Sequence, residues 1–349
     1  MIKVGFVTTP LTGGHAARGI GFYTRNLLAG LKSQARQSQF EILEIDNCLE
    51  IVNCKLDILH YPFFDLFYST LPWRHPTKVV VTIHDVIPLE FPDHYPPGLR
   101  GWFNLQRQKL ALAGVDRVLA YSEASVRGIH KFLGVPHAKI RLVYLAAASR
   151  FRPVTNRKHL VAVAKKYHLP DRFVLYVGDI NYNKNLSSMV RACRLLKTSL
   201  VIVGKHAAEI ASLDLSHPEL SHLKDLDLDS TLRLGFVSDA DLVAIYNLAT
   251  ICCLPSFAEG FGLSVLEAMA CGTPVACSAT YSLPEIAGEA AVYFDPYNTD
   301  DVTRVLKSLL SDPVLCRRLA QAGPIQAARF SWAATAEGTL QVYRELYAT

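Results

Sequence analysis

Residues Pro255–Pro274, PSFAEGFGLSVLEAMACGTP, decide how this chain folds. A strand-like run, Thr250-Ile251-Cys252-Cys253-Leu254, stops at Pro255. A glycine-bearing turn follows at Glu259-Gly260-Phe261-Gly262, and unbroken helix formers run from Leu263 to Cys271. The order is strand, loop, helix. Such a loop leaves the first backbone N–H groups of the helix without intrahelical acceptors, and the helix dipole adds partial positive charge there, so an anion is the natural ligand. Gly260 and Gly262 let that ligand approach the backbone. Glu259 precedes the helix and Glu267 follows eight residues later. On a helix that spacing is about two turns, with the second residue roughly 80° round from the first, so both carboxylates are expected to face one cleft. A carboxylate accepts paired hydrogen bonds from neighbouring hydroxyls. With phosphate between two of them, the layout suits a ligand with hydroxyls at both ends and phosphate in the middle, a description that a nucleotide sugar meets.

The 349 residues, half of them hydrophobic and 19% charged, suffice for about two domains with large cores. The formal charge of +5 is compatible with an anionic ligand or an acidic membrane surface and too diffuse to argue for nucleic acid. Eight cysteines (Cys48, Cys54, Cys193, Cys252, Cys253, Cys271, Cys277, Cys316) show no CxxC and lie mostly in apolar runs, which reads as buried thiols in a reducing compartment. MIKVGFVTTP lacks the apolar core of a signal peptide, and no run nears the ~18 apolar residues of a membrane span. A cytoplasmic chain is expected, with peripheral contact at the inner membrane face as a further reading.

Outward from the central stretch, strands alternate with helices. Val4–Thr8 is a buried first strand; the glycine-rich PLTGGHAARGIG leads into a helix with Ile20, Tyr23, Leu27 and Leu31 on one stripe. Phe40–Ile45, Ile58–Tyr61, Lys78–Ile83, Arg117–Tyr121 and Ile140–Val143 complete a first series. Phe173–Val177, Leu200–Val203, Thr231–Leu234, Ile251–Leu254, Pro274–Ala276 and Ala291–Phe294 form a second. The pattern predicts two parallel sheets with helices on both faces, an α/β doubly wound architecture. The polar, proline-bearing FRPVTNR at Phe151–Arg157 marks the linker, giving domains 1–152 and 153–330. His84-Asp85 ends the fourth strand, where polar residues face the ligand crevice of such a sheet. In YVGDINYNKNLSSMV, Lys184 opens a helix as a compact positive charge suited to a diphosphate. The DLDLD run, Asp225–Asp229, reads as a solvated loop, and no His/Cys/Asp cluster forms a closed metal site. A final helix over about 331–349 carries a stripe of Trp332, Ala336, Leu340, Tyr343 and Tyr347. Phe63–Trp73 and Pro97–Arg107 mix aromatics with basic residues. They suit either a membrane interface or lipid-linked acceptor, or a helix and loop packed on the sheet.

E-x7-E within EGFGLSVLEAMACGTPV closely resembles the retaining glycosyltransferases of family 4, which have the two-domain GT-B fold. The resemblance covers nearly the whole chain and is strongest from Leu234 to Ala291, while TIHD, GIGFYTRNLL and FSW are similar to mannosyltransferases of the O-antigen type. It implies two Rossmann-like domains facing a central cleft, with the last helix returning to the first domain as a latch beside the hinge. Glu267 would hold the donor ribose and Glu259 would contact the transferred sugar beside the reacting centre. The helix mouth at Gly260, Phe261, Gly262 and Leu263, together with Lys184, would stabilise the diphosphate. Gly204 and Val237 would line the nucleobase, and His84 would meet the sugar's outer hydroxyls. Gly19 and Gly21, with Gly13 and Gly14 as second choice, would close on donor phosphate or acceptor, while Asp85 would contact the acceptor or fix the histidine ring.

The family pattern reads Arg-Lys-Asn where this chain has Asn183-Lys184-Asn185, so Lys184 is left as the one cation of the pair unless Lys205 or Arg18 supplies another. What the resemblance implies is retaining, metal-independent transfer of a hexosyl unit, mannosyl favoured, from a GDP- or UDP-sugar to a glycan or lipid-linked acceptor, with no cofactor and no nucleic-acid partner. Two rivals remain: a nucleotide-sugar epimerase or hydrolase on the same fold, and a nucleotide-sugar-binding protein without catalysis, for which Asn183 is the support.

Overall fold

The computed structural model describes the chain apart from residues 13–18, 36–37, 47–54, 76, 225 and 349. It divides into two compact units. The first comprises Met1–Pro92, Pro96–Leu145 and Phe330–Thr349, the second Asp93–Tyr95 and Ala146–Arg329. The division after Leu145 falls ahead of the polar FRPVTNR stretch.

In the first unit the strands are β1 (Ile2–Val7), β2 (Phe40–Ile45), β3 (Ile58–Tyr61), β4 (Lys78–Thr82), β5 (Arg117–Ala120) and β6 (Ile140–Leu142). They pair in the order β2-β1-β3-β4-β5-β6, parallel throughout. A parallel sheet covered on both faces demands nearly continuous apolar strands, and KVVVT and RVLA supply them. Helix α1 (Gly19–Ala35) buries Tyr23, Leu27, Leu28 and Leu31. The last helix, Trp332–Ala348, belongs to this unit through Ala336, Leu340, Tyr343 and Leu346, all buried. Tyr347, expected on that stripe, is exposed because the buried row steps by three residues from Tyr343 to Leu346.

A polar thread crosses this core. Tyr343 Oη lies 2.6 Å from His60 Nδ1, His60 Nε2 lies 2.8 Å from Thr82 Oγ1, and Thr82 Oγ1 lies 2.9 Å from Tyr23 Oη. Burial drives the His60 pKa down to about 3, so the ring is neutral and each nitrogen has a partner.

The second unit holds β7 (Phe173–Val177), β8 (Ser199–Val203), β9 (Thr231–Leu234), β10 (Ile251–Leu254), β11 (Val275–Ser278) and β12 (Ala291–Phe294). Their order is β12-β11-β10-β7-β8-β9, again all parallel. From β7 the chain builds outward through β8 and β9, then returns to the other side of β7 for β10. Loops leaving the carboxyl ends of β7 and β10 therefore diverge, and this switch point is where such sheets open a ligand crevice. All twelve strands lie within two residues of their expected positions. Between β8 and β9 the described chain makes only two 3₁₀ turns, Ile210–Ser212 and Ser221–Leu223, in a stretch rich in Ser, Asp and His whose side chains compete for the backbone, as Asp214 does by accepting from Ser216 N–H.

Candidate active site

The β7 loop reaches Lys184 through a 3₁₀ turn, Tyr182–Lys184, followed by Asn185 in the left-handed region (φ 51°) at the head of α2 (Leu186–Leu195). Asparagine tolerates that conformation better than most residues. Its buried side chain ties two loops together: Nδ2 donates to the carbonyls of Pro255 (3.0 Å) and Pro296 (2.8 Å). Asn183 is also turned inward. Its Nδ2 donates to the Ala258 carbonyl (3.0 Å), its Oδ1 accepts from Tyr95 Oη (2.6 Å), and its backbone carbonyl accepts from Phe257 N–H (2.7 Å). The departure from the family's arginine thus has a structural counterpart: position 183 is a buried brace between the β7 and β10 loops, where a guanidinium would be costly.

Between these two inward asparagines, Lys184 extends to Glu259. Its ammonium donates to both carboxylate oxygens, at 2.8 Å to Oε1 and 2.9 Å to Oε2, and Ser256 Oγ donates to Oε1 at 2.6 Å. Glu259 is buried with this company. The lysine assigned to the diphosphate and the glutamate assigned to the sugar therefore form one ion pair at the switch point. Ser282 braces the loop from beneath, its hydroxyl shared between the carbonyls of Glu259 (2.8 Å) and Phe261 (3.0 Å). Gly262 has φ 98°, a conformation that requires glycine, and a Cβ there would also have to displace the Leu283 Cδ2 methyl at 2.6 Å.

Helix α3 (Leu263–Ala270) starts at that glycine with no side-chain cap. The N–H of Val265 turns back to the Gly262 carbonyl at 3.0 Å, while those of Leu263 and Ser264 have no intrahelical acceptor by the geometry of a helix start. Phe261 is buried, so its side chain packs inward and its backbone is what it can offer a ligand.

The expected relation between Glu259 and Glu267 needs correction. The helix begins four residues after Glu259, so the helical wheel does not connect the two carboxylates. Glu267 stands in the second turn of α3, where Tyr246 Oη donates to its Oε2 at 3.0 Å. Burial pushes its pKa up to about 8, against the opposing pull of that hydrogen bond and of the Arg150 charge. At neutral pH the carboxyl keeps its proton, so it can donate as well as accept, the complement of a pair of adjacent hydroxyls.

Gly204 and Val237 follow β8 and β9 at the same carboxyl edge. A Cβ on Gly204 would lie 2.1 Å from the Gly178 carbonyl oxygen, so the β7 and β8 loops meet there backbone to backbone. Val237 is buried just before Ser238, whose Oγ caps the helix Asp239–Leu248 by accepting from Asp241 N–H at 3.2 Å. Lys205 is exposed. Sequence reasoning missed Ser256, Tyr246 and Ser282, which hold the Glu259 carboxylate, the Glu267 carboxyl and the Glu259 and Phe261 carbonyls; only Ser256, three places before Glu259 on the same loop, carried a local signal.

In the first unit, His84 follows β4 and its Nε2 lies 3.0 Å from the Pro62 carbonyl. A carbonyl only accepts, which places a proton on Nε2, and Tyr121 Oη stands 3.2 Å from each ring nitrogen. Asp85 Oδ1 accepts from Ile87 N–H at 3.1 Å, opening the short helix Ile87–Glu90. Gly19 begins α1 and Gly21 is buried in its first turn. Gly13, Gly14 and Arg18, like Cys48 and Cys54, lie outside the described residues. Among the described residues no group of three or more His, Cys, Asp or Glu is placed to hold a metal ion.

Residues 161–326 match the family model for glycosyl transferases group 1, and residues 17–147 match that for glycosyltransferase family 4. The O-antigen chain mannosyltransferase B of Escherichia coli is 31% identical over 279 residues, covering 77% of this chain and 71% of that one. The chain belongs to glycosyltransferase family 4. A serotype-specific mannosyltransferase WbdA of the same organism is 30% identical over 282 residues, 78% of this glycosyltransferase but 34% of its relative, so the chain spans about a third of that protein's length. Among solved structures, a sucrose-phosphate synthase from Thermosynechococcus elongatus superposes with a TM-score of 0.75 at 20% identity over the whole of both chains. Anabaena HepE in complex with UDP and glucose does so with 0.73 at 14% identity, over 99% of this chain and 100% of the other. The fold of this glycosyltransferase is therefore GT-B, each unit a Rossmann-like sheet.

Proposed function

We propose that this glycosyltransferase moves a hexosyl unit, mannosyl favoured, from a nucleoside-diphosphate sugar to a hydroxyl of a glycan or lipid-linked acceptor, with retention at the anomeric carbon and without a metal. The observation that carries the reading is the Lys184–Glu259–Ser256 cluster beside an uncapped helix start at the β7/β10 switch point. Helix N–H groups and the Lys184 ammonium supply fixed positive potential for a departing diphosphate, and Glu259 orients both the lysine and the sugar next to it. Glu267, protonated and hydrogen-bonded to Tyr246, suits the ribose hydroxyls. Relatives named as mannosyltransferases favour mannose, and a structural neighbour solved with UDP-glucose supports a nucleotide-sugar donor. Buried thiols at Cys252, Cys253 and Cys277 suit a cytoplasmic setting.

In the proposed reaction the bond from the anomeric carbon to the diphosphate oxygen breaks, and the bond to the acceptor oxygen forms on the same face. The acceptor's proton passes to the departing phosphate. The test supplies GDP-mannose and UDP-hexoses with and without oligosaccharide acceptors and determines the anomeric configuration of the product by NMR. The reading expects acceptor-dependent product of the donor's α configuration, with Glu259→Gln slowing turnover by ~10²-fold or more. A β product refutes retention, and release of free hexose at full rate without acceptor favours a hydrolase.

A further inference from the structure

In the first unit, the helix Gly98–Ala113 is apolar on two opposite sides. Gly101, Leu105, Gln108, Ala111 and Leu112 form its buried row. At about 100° per residue the opposite row is Leu99, Phe103 and Leu110. A helix on a water-facing surface carries charge there, yet these three are 83%, 61% and 62% exposed. Trp102 is exposed beside them, its ring edge-on to Phe103 at 5.0 Å. Segment 65–74 extends the patch and is pinned to the helix. Asn104 Nδ2 donates to the Phe67 carbonyl (2.8 Å), and Gln108 donates to the Asp65 carbonyl (3.1 Å) while accepting from Leu71 N–H (3.3 Å). This leaves Tyr68 and Trp73 exposed, with the Arg107 guanidinium 5.9 Å from the Trp73 ring centre. Packing on the sheet thus accounts for the inner face of these segments and leaves the outer face uncovered within the unit.

The charge around that face has one sign. Segments 65–74 and 98–113 contain Arg74, Arg100, Arg107 and Lys109 against one acid, Asp65, whose Oδ1 is turned to its own loop, accepting from the N–H groups of Phe67 (2.7 Å) and Tyr68 (2.9 Å). Arg100 and Arg107 follow one edge of the Leu99–Phe103–Leu110 row. We propose that this face seats on a bilayer containing anionic lipid. Leu99, Trp102, Phe103 and Leu110, with Tyr68 and Trp73, enter the boundary between headgroups and acyl chains, and the arginines pair with lipid phosphates. No described helix is long and apolar enough to cross a membrane, so the contact lies in the interface plane. A second copy of the chain is a poorer occupant, because joining two such faces opposes like charges. The proposal is independent of the donor site.

The test is flotation of the full chain with vesicles of phosphatidylcholine alone or mixed equally with phosphatidylglycerol. It is paired with quenching of tryptophan emission by bromine-labelled lipid, which needs no variant. Binding is expected on the anionic vesicles, with quenching. It should be at least tenfold weaker on phosphatidylcholine, roughly fivefold weaker for each of Arg100→Ser and Arg107→Ser, and at least tenfold weaker for the double variant Phe103→Ser, Leu110→Ser, with thermal melts unchanged. Absence of binding and quenching, equal binding by the variants, or a dimer in light scattering that the double variant dissolves without any vesicle binding, would overturn it.

Discussion

Glu267 offers the sharpest quantitative handle on the candidate site. Burial in the second turn of α3 lifts its pKa from the ordinary 4.5 to about 8. Between those values the unfolded chain has released a proton that the folded chain still holds, so stability is greatest below pH 4.5 and is lost as the pH rises through the interval. The slope is ~1.4 kcal/mol per pH unit, about 5 kcal/mol across the whole range. Glu267→Gln keeps the shape and the neutral charge of the protonated acid and removes the titration. The stability of the wild type relative to this variant should therefore fall steadily from pH 5 to pH 8. Urea unfolding can isolate the affected unit, since Trp73, Trp102 and Trp332 all lie in the first unit. A far-UV circular dichroism transition without a matching change in tryptophan emission reports the second. A difference that stays flat over this range, or that grows in favour of the wild type, would refute the protonated state of the half-buried Glu267 and the ribose role built on it.

Other expectations follow from the loops. Gly204→Ala should destabilise the second unit by about 3 kcal/mol, because its Cβ would strike the Gly178 carbonyl oxygen at 2.1 Å and backbone cannot step aside; the same unfolding assay reads it. Asn183→Ala should cost about 2 kcal/mol by removing the donor to the Ala258 carbonyl and the acceptor of the Tyr95 hydroxyl. Asn183→Arg, which restores the family's residue, should destabilise further and leave donor affinity by calorimetry no tighter, whereas tighter binding would make position 183 a lost phosphate contact. Transferase activity should survive EDTA; loss that manganese or magnesium restores would contradict the metal-independent reading.

The sheets were legible because their strands are buried on both faces and read as short apolar runs between turn signals. The central strand-loop-helix was legible because Pro255, Gly260 and Gly262 punctuate it. Sequence spacing could not show the partners of the named residues, since these arrive from distant parts of the chain: Lys184 on Glu259, Tyr246 on Glu267, Tyr95 on Asn183. The helical-wheel relation between the two glutamates failed for a local reason, because φ 98° at Gly262 starts the helix after Glu259. Asn183 shows the limit of motif comparison, as a residue that looks like a missing cation is a buried brace. The Tyr343–His60–Thr82 thread was invisible to periodicity, which counts His60 only as a polar break in an apolar strand.

A crystal structure with GDP or UDP bound would test the central claim most directly. The account predicts the diphosphate at the start of α3, its oxygens within ~3 Å of the N–H groups of Leu263 and Ser264 and of the Lys184 ammonium, with the ribose hydroxyls on Glu267. Nucleotide bound at another edge of the sheet, with the helix start empty at saturating ligand, would contradict it.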